Sequence, residues 1–283
     1  MKKFQHFLIT RFNVKVNFSS SAGLDPEWLA HRFDLFDRFC YPSVRAQSNQ
    51  NFQWLVYFDA DTPDCFKAKI SEYSKWQNFI PIFLSEPFTD EVNRSVILSY
   101  LDGQTDFLIT TRLDNDDAIC DKFIAIVQSH FAQQEMQFIN LPNGYVWQDG
   151  KLYSFEYLSN PFMSLIECIR DQTVSGFKTV LCGSHTQVAK IGTLKQIKTE
   201  PSWLQVIHDK NVSNRVRGIR QPLTKLKGRF SIAENIEFHK DGSISYSVDK
   251  AMSLLKYPFN AIATRLPDNV KSSIRNLILP RAF

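Results

Sequence analysis

The stretch DFLITTRLDNDD, residues 106–117, decides the fold. Phe107, Leu108 and Ile109 form a short apolar run that passes through Thr110, Thr111, Arg112 and Leu113 into Asp114, Asn115, Asp116 and Asp117. A short apolar run bounded by a polar cluster reads as a buried strand. In an open α/β sheet, ligands gather at the carboxyl ends of the strands, so the acidic cluster stands where a ligand would be held. Asp114 and Asp116, two apart, can reach one hard cation, Mg²⁺ or Mn²⁺, through oxygen. The plainer reading is the acidic start of a helix over Lys122–Phe131, because Asp is favoured at caps and in first turns. Both readings stand at this point.

Upstream of this stretch the pattern alternates. His6 to Thr10 reads as a first strand, followed by Arg11, Phe12 and Asn13. Asp25 and Pro26 mark a helix start. Leu29, Phe33, Phe36 and Phe39 then recur at helical spacing, and the helix is expected to end before Pro42. Phe52 to Phe58 is a second strand, Cys65 to Trp76 a helix, and Phe79 to Leu84 a strand whose Pro81 suggests a sheet edge. Thr89 to Leu101 is a helix capped by Thr89 and carrying Asn93 and Arg94. Strand and helix in alternation predict a mostly parallel sheet with covering helices. Asp59-Ala60-Asp61-Thr62-Pro63 again places acids just past a strand. It reads as a turn, as a nucleoside contact through Asp59 or Asp61, or as a phosphatase-type D-x-D-x-T with its Thr one position early.

Downstream the pattern is mixed. Phe138 to Leu141 is a strand, and Pro142-Asn143-Gly144 reads as a turn. Tyr145–Trp147 and Leu152–Phe155 flank Asp149-Gly150, a hairpin signal, with Trp147 and Tyr153 expected as exposed aromatics suited to a glycan. Leu165, Ile166 and Ile169 follow Asn160-Pro161 at helical spacing, in a segment that carries Glu167 and Asp171. Thr179 to Cys182 reads as a short strand before His185. Trp203 to Ile207 is the expected last strand. It ends at His208, which would be either a third metal ligand or an ordinary structural histidine. A basic run follows, Arg215, Arg217, Arg220, Lys225, Lys227 and Arg229, with no acid between Asp209 and Glu234. It would clamp a diphosphate, bind anionic lipid headgroups, or form a solvated loop. Lys240-Asp241-Gly242 gives another hairpin signal. Val270, Ile274, Leu277 and Ile278 form an amphipathic helix that packs on the core or docks on a membrane surface. The expected division is a catalytic domain over residues 1–225 with a C-terminal extension over 226–283 packed on it.

Composition narrows the class. The chain has 283 residues, of which 43% are hydrophobic and 24 are Phe, enough for a sizeable core. A net charge of +4 does not argue for nucleic acid. The five cysteines form no CxxC, which argues against a disulfide framework or a zinc site and for a reducing cytosol. The N-terminus does not read as a signal peptide, and no apolar segment approaches the roughly 18 residues of a spanning helix. The chain contains no Walker A loop and no GxGxxG.

Four segments carry a resemblance: HFLITRFN (residues 6–13), NFQWLVYFDADTP (51–63), TTRLDNDDAI (110–119) and WLQVIHDKNVSN (203–214). In this order they resemble a GT-A glycosyltransferase, and more closely a bacterial rhamnosyltransferase family, with LDNDD as that family's D-x-D motif. The resemblance implies an α/β GT-A fold, a Rossmann-like, mostly parallel sheet with covering helices, a mixed second half and a C-terminal helical extension. It also implies a nucleotide-diphosphate sugar donor at the carboxyl edge of the sheet. Asp114, Asp116 and His208 would hold Mn²⁺ or Mg²⁺ on the diphosphate. Arg11, Asn13, Asp59, Arg94, Arg112, Asp114 and Asn115 would contact the donor. Glu167 is the expected general base, with Asp171 and His185 as alternatives. The acceptor would be an oligosaccharide or lipid-linked glycan in bacterial surface polysaccharide synthesis, with rhamnosyl transfer as one form. The expected location is cytoplasmic, with peripheral attachment to the inner face of the plasma membrane as an option. Two other classes remain open: a phosphatase-like hydrolase using Asp59 and Asp61, and a non-catalytic protein that binds glycan or nucleotide sugar.

Overall fold

The computed structural model describes residues 3–16, 21–208, 217–233, 236 and 243–265. The hairpin expected at Lys240-Asp241-Gly242 and the helix expected around Val270 lie outside these residues. Strands β1 (Phe4–Arg11), β2 (Gln53–Asp59), β3 (Phe79–Leu84) and β4 (Phe107–Arg112) are the alternating first half, and β4–β1–β2–β3 pair in parallel. Period-two alternation sends their side chains to opposite faces. Leu8, Trp54, Val56 and Ile109 join one core cluster, and Phe7, Ile9, Leu55, Tyr57 and Leu108 join the other. Helices α1 (Pro26–Leu35), α2 (Tyr41–Arg45), α3 (Asp64–Tyr73) and α5 (Phe123–Ser129) cover the first face, while α4 (Asp90–Tyr100) covers the second. β3, with Pro81, is the sheet edge. The α/β expectation is therefore met.

The first helix does not stop before Pro42. A π-helical turn over Phe36–Cys40 carries it into α2, which contains Pro42. Proline has no N–H to give the carbonyl four residues back, which is that of Arg38. That carbonyl is supplied from elsewhere, by the Ala233 N–H at 2.8 Å. At its other end α1 is capped as expected, with Asp25 accepting the Trp28 N–H at 2.7 Å.

The sheet continues past β4 with β9 (Ser164–Cys168), β6 (Met136–Asn140) and β10 (Thr193–Gln196). β9 runs antiparallel to both β4 and β6. The helix expected over Leu165–Ile169 is thus a strand. Leu165 faces one core cluster and Ile166 the other, so the segment is buried on both faces and shows no alternation. In a short apolar run of this kind periodicity cannot separate strand from helix. Thr179–Cys182 is a turn, closed by the Cys182 N–H on the Thr179 carbonyl at 3.0 Å.

A second sheet is built from β5 (Ala118–Ile119), β7 (Asn143–Gln148), β8 (Lys151–Glu156), β11 (Trp203–Ile207) and β12 (Ile219–Gln221), in the order β12-β8-β7-β11-β5. The expected β7–β8 hairpin is present, with Asp149 at φ 47° and Gly150 at φ 75°, the left-handed pair that a tight hairpin turn requires. β11 is followed by β12 and is not the last strand. Asn143 and Gly144 open β7 and do not form a turn. Gly144 is needed for space, since a Cβ there would lie 2.0 Å from the Trp203 ring. Trp147 is buried and Tyr153 half-buried, so neither is the exposed aromatic expected.

Two members of the basic run are engaged elsewhere, and Arg215 lies outside the described residues. Arg220 is 1% exposed. Its guanidinium lies between the rings of Tyr153 and Tyr246, 5.7 and 5.4 Å from their centroids, and donates to the Leu152 carbonyl at 3.2 Å. Arg229 pairs with Glu200 at 3.6 Å. Neither is free to clamp a diphosphate. Leu226, Phe230 and Ile236 join the first core cluster, and helix α6 (Ser243–Arg265) lies on β12.

Gly144→Ala should be costly because Trp203 is fully buried and cannot withdraw. Overpacking a filled core costs typically 1–3 kcal/mol. Urea unfolding followed by tryptophan fluorescence is expected to show a loss of about 3 kcal/mol, while Gly103→Ala, with open space around it, should change stability little.

Candidate functional site

The acidic cluster leaves the carboxyl end of β4. The Leu113 N–H still bonds the Ile9 carbonyl at 3.0 Å, so the chain stays in the sheet one residue beyond the strand. It then turns, with the Asp117 N–H on the Asp114 carbonyl at 3.2 Å, and enters β5. β5 and residues 120–122 separate the cluster from α5, whose N-cap is Lys122 with no side-chain cap. The acids therefore do not cap a helix. They form a loop at the edge where β1, β2 and β4 all end.

Each carboxylate meets a different partner. Arg112 grips Asp114 with both Nε and NH2, at 2.9–3.2 Å. Burial works against the Arg112 charge, and Asp114 more than offsets it, so its pKa is raised. Asp116 Oδ2 lies 3.0 Å from His208 Nε2 and 2.9 Å from Arg32 NH1. Burial would push the Asp116 carboxyl up, but the His208 hydrogen bond and the Arg32 charge outweigh it and hold the group below the usual carboxylate range. Asp117 is buried and accepts the Val206 N–H at 2.8 Å, which fastens the loop to β11. Burial, then the neighbouring Asp116 and Asp114, raise its carboxyl well above the ordinary value. Because Asp117 fixes β11 beside the loop, the next residue past that strand, His208, arrives at Asp116.

Two residues of this centre were not read from the sequence. Arg32, on α1, donates to Asn115 Oδ1 and Asp116 and lies 3.2 Å from His208 Nε2. His31 Nε2 lies 3.3 Å from His208 Nδ1. Both sit on an amphipathic helix, where charged residues ordinarily face solvent. The one available signal was their place on the first helix after β1, whose amino end lies at this edge.

The remaining expected residues fall into three groups. Arg11 and Arg112 stand together at the edge; burial and then Arg112 lower the Arg11 pKa. The Arg11 guanidinium lies over the Phe88 ring, 5.8 Å from its centroid, and among the described residues it has no hydrogen-bond or ion-pair partner. Asn115 is on the loop, its amide donating to the Phe12 carbonyl at 3.0 Å. Asn13 and Asp59 reach the same edge but are engaged in holding it. Asn13 donates to the Gly23 carbonyl and Thr62 Oγ1, each at 3.0 Å, and accepts the Asp59 N–H. Asp59 accepts the Asp61 N–H at 2.9 Å and pairs with Lys15 at 3.3 Å, as a turn residue does.

The other four are not brought to the cluster. Arg94 pairs with Asp90 at 3.4 Å on α4. Glu167 pairs in register with Leu108, near the start of β4. That is four residues back from Arg112, about 13 Å at the usual strand rise. Its Oε2 accepts the Lys178 N–H at 2.7 Å and its Oε1 has no partner. Asp171 lies beyond β9 past the opposite edge, accepting the Thr173 N–H at 3.1 Å. His185 bonds the Ser159 carbonyl. It lies on the same sheet edge as the cluster, but beyond β9, toward β6.

For a divalent cation, the Asp116 carboxylate and the His208 imidazole are donors of suitable chemistry that already converge. Arg32 shares the same Asp116 oxygen, and Arg112 holds Asp114. Among the described residues no group of three His, Cys, Asp or Glu side chains is arranged to hold a metal.

A sequence family described as "Putative rhamnosyl transferase" matches residues 9–220, most of the chain. No curated protein matches. Among solved structures, S. aureus TarS 1–349 in complex with UDP is 13% identical at TM-score 0.41, over 72% of this chain and 60% of that one. The mannosyltransferase PcManGT from Pyrobaculum calidifontis, in complex with GDP-Man and Mn²⁺, is 8% identical at TM-score 0.44, over 73% and 58%. HddC from Yersinia pseudotuberculosis is 11% identical at TM-score 0.39, over 71% and 93%. Similarity at this level says nothing of chemistry. No helix among the described residues is long and apolar enough to cross a membrane.

Glu167 gives this region a pH dependence. Burial pushes its carboxyl up to about 7 from an ordinary 4.5. Between those values the unfolded chain ionises while the folded chain keeps its proton, so stability falls as pH rises and levels off above about 7. At about 1.4 kcal/mol per unit, the loss is up to about 3 kcal/mol. Glu167→Gln, which keeps an acceptor for the Lys178 N–H, should remove this slope and be the more stable protein at pH 8, as read by urea melts from pH 5 to 8.

Proposed function

Because this chain belongs to the family described as "Putative rhamnosyl transferase", a glycosyltransferase family, we propose that it moves a sugar from a nucleotide-diphosphate donor to a glycan at the carboxyl edge around Asp114–Asp117. The observation that carries this reading is the meeting, at one sheet edge, of Arg11, which has no hydrogen-bond or ion-pair partner among the described residues, the Arg112–Asp114 pair and the Asp116–His208 pair. Arg11 is a spare cation beside a neutralised pair, which suits the charge of a diphosphate. It would hold that group in the ground state and stabilise the charge that grows as the bond to the sugar breaks. Asp116 and His208 would hold a divalent cation, with Asp114 joining them if it leaves Arg112. When bound, that ion would supply Lewis-acid stabilisation of the departing diphosphate. Asn115 and Asp117 keep the loop in place. Of the acid–base candidates, His185 shares this sheet edge and takes the general-base role in this reading. The acceptor is a saccharide, free or lipid-linked, in assembly of a bacterial surface polysaccharide, and rhamnose is the sugar the family's description suggests.

A ligand that binds only the folded state raises its stability, by about 2.7 kcal/mol at a hundred times its dissociation constant. Thermal shift with UDP, GDP, CDP and dTDP, each with Mn²⁺, Mg²⁺ or EDTA, should single out one nucleotide, with a shift that vanishes in EDTA. A shift that survives EDTA would remove the cation from the reading, and no shift with any nucleotide would overturn the reading itself. Arg11→Ala should weaken the responding nucleotide at least tenfold, as expected for losing a charge-assisted hydrogen bond, with the melting temperature of the free protein little changed. Asp114→Ala/Asp116→Ala should abolish transfer and remove the metal-dependent part of the shift.

A further inference from the structure

Helix α6 packs in an unusual sense, with its polar side inward. Asp249 Oδ2 pairs with Lys151 Nζ of β8 at 2.7 Å. Ser253 Oγ accepts the Arg220 N–H of β12 at 2.9 Å, and the Tyr246 ring covers the Arg220 guanidinium. These residues form the attached face, where an amphipathic helix ordinarily puts its apolar side chains.

The aliphatic residues of α6 over 244–255 face away, while Tyr257 packs against the first core cluster. Ile244 is 83% exposed, Val248 56%, Met252 47% and Leu255 69%. They recur at three to four residues and therefore form one stripe, with exposed Leu254 flanking it. Isolated surface hydrophobics need no explanation, but a continuous stripe marks a contact surface. The polar attachment on the opposite side rules out a helix simply turned over, because the Lys151 and Arg220 partners would be lost.

Charge identifies the partner. Residues 243–283 hold six Lys and Arg against two Asp and Glu, a net of +4. The whole chain also carries +4, so the rest is neutral and all the excess charge lies in this final stretch. On the described part of α6, the single acid is already paired with Lys151, while Lys256 is exposed beside the stripe and Lys250, also exposed, lies over the Tyr246 ring nearer the attached face. Two copies of such a surface would repel each other. An anionic lipid surface would accept both features: the stripe enters the interface between headgroups and acyl chains, and the lysines meet the headgroups. We propose that α6 docks this protein on an anionic bilayer, lying in the interface without crossing it. This inference stands apart from the transfer reading, and its test does not use a nucleotide.

The test is co-sedimentation of the full chain with vesicles of equal parts phosphatidylglycerol and phosphatidylcholine, compared with phosphatidylcholine alone. The protein is expected to sediment with the anionic vesicles, to be released as salt rises, and to stay largely in solution with the neutral ones. Ile244→Asp/Val248→Asp/Leu255→Asp should weaken anionic-vesicle binding at least tenfold, with the melting curve and any nucleotide shift unchanged. Lys250→Glu/Lys256→Glu keeps the stripe, serves if the first variant folds poorly, and should lose at least fivefold. The proposal is overturned if the wild type ignores anionic vesicles, or if both variants bind them as well as the wild type does. It is also overturned if light scattering finds a wild-type dimer that the triple variant breaks, since the stripe would then belong to a second copy.

Discussion

Three carboxylates within four residues have to coexist on one largely buried loop, and the rest of the centre follows from how they do so. Two unit charges roughly 6 Å apart at an effective dielectric near 20 repel by about 3 kcal/mol. Asp114, Asp116 and Asp117 therefore cannot all stay ionised without compensation. Asp114 is neutralised by the last residue of its own strand, Arg112. Asp116 is neutralised by a cation from α1, Arg32, and is hydrogen-bonded by His208, the residue just past β11. Asp117, pushed toward its protonated form, is spent on a backbone N–H of β11. Each solution draws a different element to the same place. The loop is thus the point through which α1 and the second sheet are referred to β4.

This division of labour explains which parts were legible beforehand. Strands β1 to β4 and their helices follow directly from apolar runs and caps such as Asp25 and Thr89, because local preference and tertiary burial agree there. That Asp116 and His208 come to one edge was legible because each stands just past an apolar run, where an α/β sheet collects its ligands. Arg32 and His31 were not, since spacing along a helix says which face is apolar but not which charged residue turns inward. Glu167 was not legible in position: the sequence expects it on a helix, whereas it occupies a strand that runs antiparallel to β4 and carries it back along the sheet.

The second half shows why polar and charged runs are weak guides to position. Pro142-Asn143-Gly144 has turn composition, but Gly144 serves the Trp203 ring that lies against it. The basic run after Asp209 has the composition of an anion clamp. Yet Arg220 is enclosed by two tyrosine rings and backbone carbonyls and attaches α6 to β12 and β8. An arginine can be a structural fastener when aromatic faces and carbonyls together replace its water. Nothing in the spacing of the run distinguishes that use from the other.

The Ala233 N–H that completes the helix at Arg38 sets an order of events. Residue 233 must find residue 38, and His208 must find Arg32, across more than half of the chain's length, and Asp116 across 92 residues. Contacts of such wide sequence separation form slowly, after local helices and neighbouring strands have closed. During synthesis the first sheet's parallel strands can pair while the loop at Asp114–Asp117 still lacks its histidine and α1 its last carbonyl partner. A chain interrupted before β11 would present the acidic loop unfinished. The closed geometry of the acidic loop is therefore one of the last features the growing polypeptide acquires, and a chain cut short in translation would carry the loop without His208.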